Sequence, residues 1–114
     1  MNSNAFFLWE KVGKTALTLP GVHERTAYGT LAFYVAKKLF ARLKEDGQTL
    51  VVYNNERDVW IESNSDTFFF TDHYKNYPLL LVDLKTVSRK DLEQLIITSW
   101  KIRAPKKLLL QFTQ

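Results

Sequence analysis

The sequence predicts an α+β fold, an antiparallel β-sheet with helices packed on one face, and three observations lead there. The hydrophobic period switches from helical spacing to alternation near residue 25 and returns to helical spacing near residue 88. The strand-like segments follow one another too closely for parallel crossovers, which need a dozen or more residues each. Eight Phe, five Tyr and three Trp in 114 residues supply the bulky apolar surface that one core requires. The whole chain, 1–114, is therefore expected to be one domain, with no repeat, low-complexity tract or linker inside it.

The first helix is expected from about residue 4 to 18. Asn2, Ser3 or Asn4 can cap it, Leu8, Val12, Ala16 and Leu19 recur at helical spacing, and Pro20-Gly21 ends it. From Arg25 alternation takes over. Leu31, Phe33 and Val35 share one face of a strand, and after the Ala36-Lys37-Lys38 bend Leu39, Ala41 and Leu43 are expected to oppose Phe40, Arg42 and Lys44. Glu45-Asp46-Gly47 reads as a hairpin turn with positive φ at Gly47, and residues 48–54 return as the partner strand. Asn54 or Asn55 can cap a short helix through Val59, Trp60 and Ile61. Residues 67–71 and 78–84 read as strands, the second so uniformly apolar that both its faces should be covered. Ser88 and Asp91 form a capping box, with Asp in place of the usual Glu. It opens a helix with Leu92, Leu95, Ile96 and Ser99 inward, and Pro105 stops that helix. Residues 106–112 are expected as a short helix or an extended tail.

Composition excludes several function classes. Without cysteine there is no disulfide framework, thiolate nucleophile or cysteine zinc site, and a reducing, cytoplasmic setting fits. No apolar run approaches the ~20 residues that span a bilayer, and the N-terminal positive charges follow the apolar residues, so neither export nor a membrane partner is expected. The four glycines are scattered singly, which leaves no phosphate-cradling loop. His23 and His73 lack the companions that a catalytic triad or a helical metal site would need, so no catalytic residue, metal ligand or cofactor is expected. For His73 the reading is structural, in a turn whose exit Pro78 fixes.

Charge is the more informative signal. Residues 1–66 hold eight Lys/Arg and eight Asp/Glu, whereas residues 67–114 hold eight against four, so the whole net charge of +4 lies in the second part. After Glu93 no acid appears, while Lys101, Arg103, Lys106 and Lys107 gather around Pro105. Such a cluster attracts polyanions. It also suits the C-terminal carbonyls of a helix, which favour cations whether or not anything binds.

Three segments in order, ALTLPGVHERTAYGTLAFYVAKKLFARL, FFFTDHYKNYPLLLVDL and LIITSWKIRAPKKL, resemble the MmcQ/YjbR family of small bacterial proteins over residues 16–110. The resemblance implies a frataxin-like (CyaY-like) α+β layer, described as a double wing and proposed to bind DNA. It carries over no enzyme activity and no catalytic residue. A frataxin-like iron carrier would need an acidic ridge on the first helix, and Glu10 is the one acid there.

Two function classes follow. The first is a non-enzymatic DNA-binding protein of weak sequence preference. It would use Lys37, Lys38, Arg42, Lys44, Lys75, Lys101, Arg103, Lys106 and Lys107 for phosphates, with Tyr34, Tyr74 or Tyr77 stacking beside them. The second is a module that binds another protein or a small ligand, for which the basic surface is incidental. Clustering of the cations on one face would favour the first, and a concave aromatic pocket around His73 the second.

Overall fold

A computed structural model describes residues 3–112, with side chains from residue 5 onward. In chain order the elements are α1 (Ser3–Ala16), β1 (Val22–Ala27), β2 (Thr30–Val35), β3 (Lys38–Leu43), β4 (Thr49–Tyr53), α2 (Arg57–Ser63), β5 (Phe68–Phe69), a 3-10 turn (Asp72–Tyr74), β6 (Leu79–Asp83), α3 (Arg89–Arg103) and α4 (Lys106–Phe112). The six strands form one sheet in the order β1-β2-β3-β4-β6-β5, every neighbouring pair antiparallel.

The sheet has two unlike faces. On one, α1 buries Leu8, Trp9, Val12 and Ala16, and α3 buries Leu92, Leu95, Ile96 and Trp100, against Phe33, Ala41, Leu43, Leu50, Val52, Leu80 and Val82. Trp9 stacks on Phe33 at 4.6 Å between centroids, and Trp60 of α2 meets Phe68 edge-on. On the other face a smaller cluster of Val51, Leu81 and Tyr74 is roofed by the segment that carries the 3-10 turn. The expectation that residues 78–84 are covered on both faces holds: Leu80 and Val82 join the main core while Leu81 joins the smaller one.

Local chemistry explains the boundaries. Ser88 Oγ accepts the Asp91 N–H at 3.1 Å and so starts α3 as its spacing predicts. Gly47 takes φ 73° in the β3–β4 hairpin. At Gly21 a Cβ would stand 2.5 Å from Leu108 Cδ1, so a glycine there lets α4 close on the start of β1. The expected caps at Asn2, Ser3 and Asn4 lie outside the described residues and side chains.

Four details differ from the sequence reading. β1 begins at Val22, because the outer strand pairs with the full length of β2 from Val35 back to Thr30. β5 is two residues long and not five. Neither Asn54 nor Asn55 caps α2: Glu56 holds the cap position with no side-chain bond, and Asn54 Oδ1 accepts the Glu56 N–H at 2.8 Å in the turn before it. Finally Phe40 does not share a face with Arg42. A register shift beside Tyr34 makes Phe40 an extra residue between Leu39 and Ala41, and it turns into the main core. The bulge leaves ladder groups unpaired, and Ser99 of α3 answers it by donating to the Phe40 carbonyl and accepting the Tyr53 N–H at 2.9 Å.

Candidate functional site

The chain fold gathers one group of cations and splits another. Lys37 and Lys38 sit at the β2–β3 turn, which Ala36 closes with φ 54°. Arg103, at the end of α3, donates from Nε to the Leu39 carbonyl at 3.0 Å and lays its guanidinium over the Tyr53 ring at 4.3 Å. Trp100 Nε1 donates to the Pro20 carbonyl at 3.0 Å, and Leu108 lies against Gly21. These contacts bring the β2–β3 turn, the C-terminus of α3 and the start of α4 to one end of the sheet. Lys37, Lys38, Lys101, Lys106 and Lys107 are all exposed there. Neither 36–44 nor 99–112 contains an acid. Lys101 rests its ammonium 5.1 Å from the Phe112 ring.

Lys44 belongs to the far end of β3, roughly 20 Å away at ~3.3 Å per residue, and is half-buried with its ammonium 5.5 Å from the Tyr74 ring. Arg42 is not the outward-facing cation that alternation predicts. It is 9% exposed on the helix-free face, where Nη1 donates to Thr30 Oγ1 at 3.2 Å and to Glu45 at 3.3 Å, and Nη2 donates to the Tyr74 hydroxyl at 3.1 Å. The physical reason is the segment 70–78, which folds over β4 and β6 and covers it. Lys75 is exposed on that segment, shortly before the entry of β6.

The tyrosines divide similarly. Tyr74 is buried, Tyr77 is exposed, and Tyr34 is half-buried on the helix-free face with His23 stacked at 5.9 Å and Arg25 at 5.5 Å from its ring. His73 is exposed and meets the Tyr74 ring edge-on at 4.8 Å. Pro78 accepts the Asn54 N–H at 2.9 Å, which ties the entry of β6 to the exit of β4.

Sequence reasoning missed Arg57. From α2 its Nη1 donates to the carbonyls of Tyr74, Tyr77 and Leu79 at 2.9, 2.8 and 3.1 Å, and its Nη2 to that of Lys75. Its guanidinium lies 3.9 Å from the Phe70 ring. One arginine thus holds the roof of the smaller cluster in place. The only signal in the sequence was a cation in an otherwise acidic helical segment.

A cleft of about 260 Å³ opens on the helix-free face beside that roof. Leu39, Val51 and Leu79 line it with Arg42, and the rings of Tyr28, Tyr53, His73 and Tyr74 stand around them. Tyr28 holds φ 55° in the β1–β2 turn, a left-handed conformation that bulky side chains rarely adopt, and the Arg42 guanidinium lies 5.2 Å from its ring.

Two carboxyls near the β3–β4 turn are perturbed. The backbone N–H of Glu45 and the Arg42 guanidinium hold the Glu45 carboxyl below its ordinary value. Partial burial pushes the Asp46 carboxyl up. The Thr49 hydroxyl at 2.6 Å and the N–H groups of Gln48 and Thr49, each at 2.9 Å, outweigh it and leave Asp46 below its ordinary value. Among the described residues no three His, Asp or Glu side chains converge as a metal site, and neither histidine hydrogen-bonds a side chain.

The family model YjbR matches residues 17–102. Uncharacterized protein Mb2600 of Mycobacterium bovis and uncharacterized protein Rv2570 of Mycobacterium tuberculosis are each 38% identical to this chain over 52 residues. That match covers 46% of the chain and 40% of each relative, so the chain spans less than half the length of these curated proteins. The crystal structure of the Deinococcus radiodurans protein DR2400, with a DUF419 domain, superposes with a TM-score of 0.72 at 18% identity over 92% of this chain and 87% of that one. The likeness is one of fold.

Proposed function

This chain belongs to the YjbR family, and from that premise we propose that it is a non-enzymatic DNA-binding protein that grips phosphates at its basic end with little sequence preference. The observation that carries the reading is the convergence of Lys37 and Lys38 with Lys101, Arg103, Lys106 and Lys107, which the Arg103 bond to Leu39 brings together from segments more than 60 residues apart in sequence. Exposed lysines supply affinity for a polyanion through its phosphates, contacts that carry no sequence information. Arg42, buried on the helix-free face, and Lys44, past the far end of β3, stand apart from this surface.

The test is titration of a labelled duplex of about 20 base pairs at about 50 mM and then 200 mM salt, where log affinity should fall by about 0.9 per phosphate neutralised for each unit of log salt. Replacing Lys37, Lys38, Lys106 and Lys107 together with Glu should abolish binding and leave the fold unchanged, because all four are exposed. Absence of saturable binding at tens of micromolar protein, a weak-binding threshold on the affinity scale, sinks the proposal.

A further inference from the structure

We infer that the cleft on the helix-free face is a binding site for a small planar aromatic carboxylate, independent of the DNA-binding surface. Its shape, charge and strain point the same way. The cavity of about 260 Å³ has an apolar floor of Leu39, Val51 and Leu79, and rings on its walls, which suits one flat ring system in place of a flexible chain. Its lining contains the cation Arg42 and no acid.

Arg42 has the unspent chemistry. Both Nη1 hydrogens are engaged by Thr30 and Glu45, and Nη2 gives one bond to Tyr74. Nε has no hydrogen-bond partner among the described residues and is not a buried orphan, so it keeps access to solvent. An Nε–H beside the remaining Nη2–H is the edge on which a guanidinium takes a carboxylate with two parallel bonds. The acid it already holds, Glu45, is 67% exposed in its side chain and shares only Nη1.

Tyr28 supplies the second observation. Glycine or asparagine is the favoured occupant of a left-handed position in a two-residue hairpin turn. A tyrosine there carries backbone strain and stays 83% exposed, so packing does not explain it. What the conformation achieves is a ring held over the Arg42 guanidinium at the cleft's edge. Strain of this kind gathers at ligand sites.

Indole-3-acetate and 4-hydroxybenzoate are suitable probes, with acetate, neutral indole and thymidine monophosphate as comparisons, read by amide and side-chain NMR shifts. The two aromatic carboxylates should bind saturably, shifting residues around Tyr28, Leu39, Arg42, Tyr53 and His73, while acetate and indole do not. Tyr28→Gly should weaken binding roughly tenfold or more, one step on the affinity scale, and its melting temperature should be equal or higher, since the strain is relieved. Arg42→Gln should abolish binding. Should that variant fail to fold, the Tyr28→Gly result decides. The inference is overturned by no saturation below about 10 mM, a level at which binding is barely favourable. Undiminished binding by Tyr28→Gly, or selective binding of the nucleotide, overturns it as well. The Glu replacements at Lys37, Lys38, Lys106 and Lys107 leave this cleft intact, so its outcome is separable from that of DNA binding.

Discussion

The two faces of the sheet are held together by different physics. The helix-covered face is a close-packed hydrocarbon and aromatic core, with Val12, Phe33, Leu50, Leu95 and Trp100 all fully buried. The opposite face is half roofed, and cations set against rings and carbonyls organise it: Arg25 by Tyr34, Arg42 by Tyr28, Lys44 by Tyr74 and Arg57 by Phe70. A closed core tolerates little change in volume. The open face is instead only partly covered, and the cleft beside Arg42 opens on it.

The sharpest way to break this contrast is at Trp100. Trp100→Ala removes a fully buried indole and orphans the Pro20 carbonyl, and should cost about 3–5 kcal/mol by urea unfolding. A loss under about 1 kcal/mol, in the range of an exposed site, would mean the core is not close-packed there. Arg57→Ala tests the other face. It deletes charged donors to four backbone carbonyls, and a stability loss of about 1.5–3 kcal/mol is expected. Hydrogen exchange should accelerate in 70–78 and hardly at all in β2, β3 or α3. Uniform acceleration would show that the two faces unfold as one.

The smallest effect is a pH dependence at the β3–β4 turn. Because the folded Asp46 carboxyl is held below its ordinary value of 3.8, the stability it supplies is present above that value and is lost as pH falls through the lower folded one. Asp46→Asn should therefore flatten the acid limb of the stability curve below pH 3.8 while leaving the pH dependence on the alkaline side unchanged. An unchanged acid limb would assign acid sensitivity elsewhere.

Much of the helix-covered face was legible in the sequence, because burial of a helix or strand writes a period into the residues that make it. Leu92, Leu95, Ile96 and Ser99 face inward as their spacing predicts, and Ser88 caps as its position predicts. The basic cluster around Pro105 was also legible as composition. The helix-free face was not. Arg42 alternates like a solvent-facing strand residue, and only the roof that Arg57 holds, 15 residues later in sequence, buries it. The bulge at Phe40 breaks the period without leaving a Gly or Pro to mark it. Tyr28 reads as an ordinary loop aromatic until its backbone conformation is seen. Each of these depends on a contact between distant segments, and local pattern carries no record of such contacts.

The bulge spanned by Ser99 bears on how the molecule reaches its native state. A hairpin of β3 and β4 formed one residue out of step would present no carbonyl and no N–H where the Ser99 hydroxyl arrives, 59 and 46 residues later in the chain. Seating α3 therefore proofreads strand alignment, and contacts of that sequence separation form late because loop closure precedes their reward. The Ser99 hydroxyl thus adds a register-specific contact to the apolar packing and the Trp100 and Arg103 bonds that join the two ends of the chain.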